Sequence, residues 1–229
     1  MRLTSLGTIV ALSAASPALA GTTFNFSADI YGSTADSGPL AAGQGTFTVL
    51  DLYLTNTSAD ALRVLSLFYV NIALGDGEFV HHDASGGGQW SAAFNAFGAN
   101  SKIDSFVTFG AGSGSDPFAA TLDPNFDGSV AGSVSADAGW YNGDPNNGQG
   151  NVAAGDRLFI GRFVIANTLA ADTTFSVSGD FSYNFQSPGV YYDNDSQVFT
   201  LPSSTPAVPG PLAFAALAGV GLVGRGRRR

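Results

Sequence analysis

The chain has 229 residues, of which 45% are hydrophobic and 12% are charged, so it can build a sizeable folded core and is too apolar to be disordered. Its formal net charge of -9 repels phosphate backbones and argues against nucleic acid as the main partner. The sequence contains no cysteine, which excludes disulfides, thiolate metal sites and cysteine nucleophiles.

The first twenty residues have the pattern of a secretory signal peptide. A basic start at Arg2 precedes an apolar stretch that ends at Pro17, and the small residues Ala18 and Ala20 suit a signal peptidase. We therefore expect residues 1–20 to be removed after Ala20 and the mature protein to leave the cytoplasm.

Residues 21–201 are predicted to form one all-β domain, a single antiparallel β-sandwich of jelly-roll type with about eight or nine strands. Apolar and polar residues alternate in 23–30 and 174–185, which is typical of half-buried strands. In the second segment the alternation places one set of side chains inward and Asp180, Ser182 and Asn184 in water. The inward set is Phe175, Val177, Phe181, Tyr183 and Phe185.

Four further β-branched or aromatic runs, bounded by turn-forming residues, predict more strands at 46–55, 62–73, 103–109 and 158–166. The run 62–73 is apolar on both faces, so we expect it at the centre of a sheet that is covered on each side or lies under a long loop. The loop-rich interval 110–155 leaves two smaller domains as an alternative. The strand pattern is similar to that of cohesin-like and carbohydrate-binding β-sandwiches, without a specific motif.

Half of a calcium-binding loop occurs at Asp123, Asn125 and Asp127, where alternate side-chain oxygens precede Gly128. The position where a bidentate Glu would complete the coordination is Val134. Calcium is therefore one interpretation, and a pair of Asx turns is the other.

Trp140 and Tyr141 open an Asn/Gly-rich segment that ends at Asn151. Aromatic rings stack on the apolar faces of sugars while amides satisfy sugar hydroxyls, so this segment is a candidate ligand-binding site. The alternative is a core tryptophan next to a structural loop. No nucleophile elbow, zincin motif or P-loop occurs, so the sequence predicts a protein without enzymatic activity, and a secreted hydrolase remains an alternative.

The C-terminal end has three parts. A Pro/Ser segment at 202–211 is followed by an uncharged apolar stretch at 212–224 and by a basic tail at 225–229. As a helix the apolar stretch would reach about 20 Å, marginal for the roughly 30 Å hydrocarbon core of a bilayer. We expect a short transmembrane helix with the basic tail on the cytoplasmic side.

This ending resembles the PEP-CTERM sorting tail of bacterial exported proteins. The residues that carry the resemblance are Pro209, Gly210, Pro211, Arg225, Arg227, Arg228 and Arg229, with glycine where the family usually has glutamate. The resemblance implies an exosortase-like membrane protease as processing partner, with a membrane-anchored intermediate before delivery to the cell surface or extracellular matrix.

The sequence thus predicts an exported, non-enzymatic surface or matrix protein with a structural or interaction role. The main alternative is a module that binds extracellular polysaccharide, with calcium as the one candidate cofactor. Delivery by the signal peptide and the tail is common to both hypotheses.

Overall fold

The computed structural model describes residues 23–32, 47–80, 90, 105–110, 120–123, 133–144, 146–166, 173–185 and 189–201. Within these ranges the chain is all-β and contains no helix. The strands are β1 Phe24–Gly32, β2 Phe47–Asn56, β3 Leu62–Leu74, β4 Phe106–Val107, β5 Ala120–Leu122, β6 Ser133–Asn142, β7 Asn151–Val152, β8 Arg157–Ala166, β9 Thr174–Asn184 and β10 Tyr191–Thr200.

The strands form two antiparallel sheets, an arrangement consistent with a β-sandwich. One sheet has four strands in the order β1-β2-β8-β4, and the other has six strands in the order β10-β9-β3-β6-β5, with β7 also paired to β3. Most buried apolar side chains of both sheets belong to one cluster, which does not include the buried Val49 and Val164. For the described residues, the prediction of an all-β fold with antiparallel sheets is confirmed, and the two predicted terminal helices lie outside these residues.

The alternation predicted for β9 is confirmed for four of its inward side chains, Phe175, Val177, Phe181 and Tyr183, which are all buried. Ser182 differs from the prediction, because it faces outward yet is buried. Its hydroxyl lies 2.6 Å from the hydroxyl of Ser66 on β3, and this contact replaces solvent. Phe185, just beyond the strand, packs against the core from a partly buried position.

The prediction of a central strand at 62–73 is confirmed, since β3 lies between β9 and β6. The expectation that both faces of this strand are covered is wrong. Its inward residues Leu67 and Ile72 are buried, whereas Tyr69 and Asn71 are exposed on the other face. The predicted strand at 103–109 is also shorter than expected, since β4 contains only Phe106–Val107.

Aromatic side chains fill the core between the sheets. Phe79 packs edge-on against Trp90, with ring centroids 5.7 Å apart, and Phe163 lies 5.3 Å from Phe175. Edge-to-face and tilted pairs of this kind add to the hydrophobic stabilisation that comes from burying such large rings. Trp90, like the other three, is a core residue.

Two carboxylates join the edges of the sheets where β1 and β10 meet. Asp193 accepts a hydrogen bond from the backbone N–H of Thr23 at 2.6 Å, and Asp195 accepts one from Phe26 at 2.7 Å. Inward-pointing charges on an edge strand prevent it from pairing with another chain, and here they also satisfy the free donors of β1. The seam between the sheets is thus closed by side chains.

Candidate functional site

Trp140, predicted either as a ligand platform or as a core residue, lies in the core. Only 1% of its surface is exposed, and its indole N–H donates a 2.9 Å hydrogen bond to the backbone carbonyl of Thr108. Thr108 follows β4 of the opposite sheet, so the tryptophan connects the two layers. The ring has no free face on which a sugar could stack.

Tyr141 points the other way, because successive side chains of a strand lie on opposite faces of the sheet. Its side chain is 46% exposed on the outer face of the six-stranded sheet. In the register of the sheet it lies between Ser66 on β3 and Thr121 on β5. Of the two adjacent aromatic residues that the sequence singled out, this one is available to a partner.

The Asn/Gly-rich loop after Tyr141 is held together by its own amides. Asn142 donates to Asn147 at 2.9 Å, and Asn147 accepts a further bond from the backbone N–H of Gln149 at 2.8 Å. The Gln149 amide reaches the carbonyl of Phe109 at 3.0 Å. These Asx-type bonds shape the loop and fasten it to the sandwich, so its amides have a structural role.

The calcium half-motif is described only in part. Asp123 comes directly after β5, and its backbone N–H donates to the carbonyl of Gly139 at 2.8 Å. Asn125 and Asp127 lie outside the described residues. Among the side chains that the structure does describe, no group of three or more His, Cys, Asp or Glu residues could hold a metal ion.

The candidate residues at both ends of the chain also lie outside the described ranges. They are the signal-cleavage residues Ala18 and Ala20 and the tail residues Pro209, Gly210, Pro211, Arg225, Arg227, Arg228 and Arg229. Where the structure describes the chain, no helix is long and apolar enough to cross a bilayer.

The strongest candidate site is the outer face of the six-stranded sheet. Cross-strand pairing aligns one residue from each of five strands in a row. From β10 to β5 the row contains Tyr192, Ser182, Ser66, Tyr141 and Thr121. Between β10 and β6 the row spans about 14 Å at the usual spacing of neighbouring strands.

A second aromatic pair lies beside this row, where β3 departs from regular pairing. Its register against both β6 and β9 shifts in the segment that contains Phe68 and Tyr69. Tyr69 has a φ of 50° and is 62% exposed. A left-handed backbone costs a residue with a side chain roughly 1–2 kcal/mol, and such strain is concentrated at functional sites. We call Phe68, Tyr69, Tyr141 and Tyr192 the aromatic face.

Ring contacts hold part of the aromatic face in place. The Phe68 ring lies edge-on to Tyr69 at 5.5 Å and to Tyr192 at 6.1 Å. Phe68 is half-buried between them, while Tyr192 is 70% exposed. The two tyrosines are therefore anchored by a shared neighbour and still present much of their rings to solvent.

The outer face of the four-stranded sheet is different, because its charged groups are paired with one another. Arg157 makes two hydrogen bonds to Asp29, at 2.8 and 2.5 Å, and its guanidinium carbon lies 3.9 Å from the centre of the Tyr53 ring. Arg162 binds Asp51, which is only 5% exposed, at 2.7 and 2.8 Å. These groups hold that sheet together and are engaged already.

Phe68, Tyr69 and Tyr192 were not singled out from the sequence. The signal that could have found them is a break in alternation, because Leu67 to Val70 places two aromatic residues between two inward-facing ones. No protein-family model, curated protein or solved structure matches the chain. The site therefore has to be interpreted from its own chemistry.

Proposed function

We propose that this chain is an exported, non-enzymatic protein of the cell surface or extracellular matrix, and that it acts by adhesion through the aromatic face. The observation that carries the proposal is the exposure of tyrosines from β3, β6 and β10 on one side of one sheet. Exposed aromatic residues gathered on one surface are typical of interaction sites. Single exposed aromatic residues scattered over a surface are common and would need no such explanation.

Delivery to the surface is the part of the proposal that rests on sequence. The signal peptide ending at Ala20 and the PEP-CTERM-like tail from 202 to 229 predict export, transient anchoring in the membrane and processing by an exosortase-like protease. In support of a domain that ends at Leu201, the side chain of this residue is buried and its backbone N–H donates a 2.8 Å hydrogen bond to the carbonyl of Thr173. Processing within the tail would therefore leave the sandwich intact.

The proposal includes a jelly-roll arrangement of the sandwich. In support, the chain changes sheets repeatedly, from β2 to β3, from β3 to β4, from β4 to β5, from β7 to β8 and from β8 to β9. Such crossings are typical of double-sheet jelly rolls, whereas up-and-down barrels keep consecutive strands adjacent.

The adhesion test uses the protein exported by cells that produce the full chain. We expect the double variant Tyr141→Ser/Tyr192→Ser to shift from the cell-surface and matrix fraction to the medium by about tenfold, the effect of losing roughly 1.4 kcal/mol of binding. Tyr53→Ser removes a tyrosine from the opposite sheet and is the matched control. Equal retention of the double variant and the control would contradict adhesion through the aromatic face.

Tail processing is measured separately by the intact mass of the surface-associated protein. Loss of Arg229 and its neighbours is expected in cells with an exosortase-like protease. A mature protein that still carries Arg229 would contradict processing and would leave adhesion to be judged by the retention assay alone.

A further inference from the structure

We propose that the partner of the aromatic face is a neutral, linear polysaccharide that lies across the strands and stacks on Tyr69 and Tyr192. This inference rests on the proposed function, because it names the partner of the same adhesive surface. Polar groups beside the rings, the negative charge of the chain and the backbone of Tyr69 support this partner.

Polar groups lie beside the rings of the aromatic face. A sugar ring has apolar C–H faces and a polar rim of hydroxyls, so its recognition requires aromatic faces with hydrogen-bonding groups close by. Next to the tyrosines lie the carboxylate of Asp180 on β9 and the exposed amide of Asn194 on β10, whereas the hydroxyls of Ser66 and Ser182 are bonded to each other. Asp180 is aligned with Phe68 on one side and with Asn194 on the other.

The composition of β9 favours a sugar over a protein as the partner. The core of a protein–protein interface is more apolar than the surface around it. On β9, the strand between β10 and β3, the outward-facing residues are instead all hydroxyl, carboxylate or amide residues: Thr174, Ser176, Ser178, Asp180, Ser182 and Asn184. The half-buried ring of Phe68, which contacts Tyr69 and Tyr192, is the apolar part of this region. A strip of this kind matches the hydroxyl rim of a polysaccharide better than the apolar centre of a protein interface.

Charge selects the class of polysaccharide. The chain carries a formal net charge of -9, and all of its eighteen acidic residues lie between residues 21 and 206. A surface of this sign repels uronate or sulfate polymers. The aromatic face itself includes Asp180, whose carboxylate can accept hydrogen bonds from neutral sugar hydroxyls.

Because of the backbone conformation of Tyr69, the role of its ring in binding can be tested separately from its role in the stability of the fold. Its φ of 50° is a conformation that glycine adopts freely and that a tyrosine adopts only under strain. Tyr69→Gly therefore removes the ring and relieves the backbone strain in one step. If Tyr69 had only a structural role, a replacement that leaves the fold as stable as before would not weaken binding.

The experiment measures binding of the exported protein, purified from cells that produce the full chain, to named polymers by affinity electrophoresis and calorimetry. The neutral probes are hydroxyethylcellulose, xylan, galactomannan and dextran, and polygalacturonate is the acidic comparator. We expect retardation by at least one neutral probe and none by polygalacturonate. Tyr69→Gly and Tyr192→Ala should each weaken binding to that probe by tenfold or more, and Tyr53→Ala should not change it.

Thermal unfolding is recorded for every variant, and Tyr69→Gly should unfold at a temperature no lower than that of the parent. Failure of the parent protein to bind any neutral probe would overturn the inference, and so would a preference for polygalacturonate. Unchanged affinity of both Tyr69→Gly and Tyr192→Ala would overturn it as well. If no polymer binds while Tyr141→Ser/Tyr192→Ser still loses surface retention, the adhesive function stands and the partner is not a neutral polysaccharide.

Discussion

Replacing Asn56 by alanine should be among the most destabilising polar substitutions in the described part of the molecule. Asn56 ends β2, and no part of it is exposed. Its side-chain amide donates to the carbonyls of Asp60 at 2.8 Å, Val152 at 3.1 Å and Ala153 at 3.2 Å. Its side-chain oxygen accepts from the backbone N–H of Ser58 at 3.0 Å and from the Ser58 hydroxyl at 2.7 Å.

The magnitude follows from these five contacts. Each hydrogen bond contributes about 1 kcal/mol net, and a buried carbonyl left without a donor costs about 1–3 kcal/mol. The bond to Val152 is buried, while Ser58 and Asp60 can turn to water. We therefore expect Asn56→Ala to lower the free energy of unfolding by about 3–5 kcal/mol.

The assay is urea unfolding followed by tryptophan fluorescence, in which the midpoint should fall while the slope m stays unchanged. Asn56→Asp is the informative second variant, because it keeps the oxygen that accepts from Ser58 and turns the donor into an oxygen facing three carbonyls. It should be at least as destabilising as alanine. Asn194→Ala, at an exposed asparagine, is the control and should change stability by less than about 0.5 kcal/mol. An Asn56→Ala protein as stable as this control would refute the reasoning.

Two further predictions concern the joints of the sandwich. Asp193→Ala combined with Asp195→Ala removes two carboxylates that accept hydrogen bonds from the backbone N–H groups of Thr23 and Phe26. The double variant should lower the free energy of unfolding by about 1.5–3 kcal/mol per site and speed hydrogen exchange at the amide of Phe26. Unchanged exchange would show that the seam is held by other contacts. Gly139→Ala would bring a Cβ to 2.5 Å from the carbonyl oxygen of Leu67, so we expect a loss of about 2 kcal/mol or more in thermal or urea unfolding, and a neutral result would mean that β3 and β6 can separate locally.

Much of the fold could be predicted from local sequence, because burial on one face imposes a period of two on a strand. Period two predicts the inward set of β9, and the apolar character of both faces of 62–73 correctly predicts that β3 lies at the centre of a sheet. Ser182 shows the limit of the method. Its polarity predicts a side chain exposed to solvent. Its burial instead depends on a hydroxyl partner on β3, more than a hundred residues earlier in the chain.

The candidate site could be predicted only in part, because it too depends on contacts between residues that are far apart in the sequence. Period two places Trp140 and Tyr141 on opposite faces, yet it does not say which of the two faces the core. That choice depends on Leu67, which β3 places opposite Trp140 and which is itself buried. The sequence therefore identified this dipeptide as a candidate contact, and the tertiary pairing leaves Tyr141 as its exposed ring.

The exposure of Tyr69 is likewise a consequence of long-range packing. The carbonyl of Leu67 and the Cα of Phe68 lie where a Cβ at position 139 would have to sit, so the irregular segment of β3 requires a glycine opposite it. A strained backbone persists only when its surroundings over-determine it, and here β9 and β6 pair with β3 on both sides of the irregularity. Gly139 is thus both a packing residue and a determinant of how the aromatic face is presented. Gly139→Ala should therefore weaken adhesion as well as stability, whereas Tyr69→Gly should weaken adhesion alone.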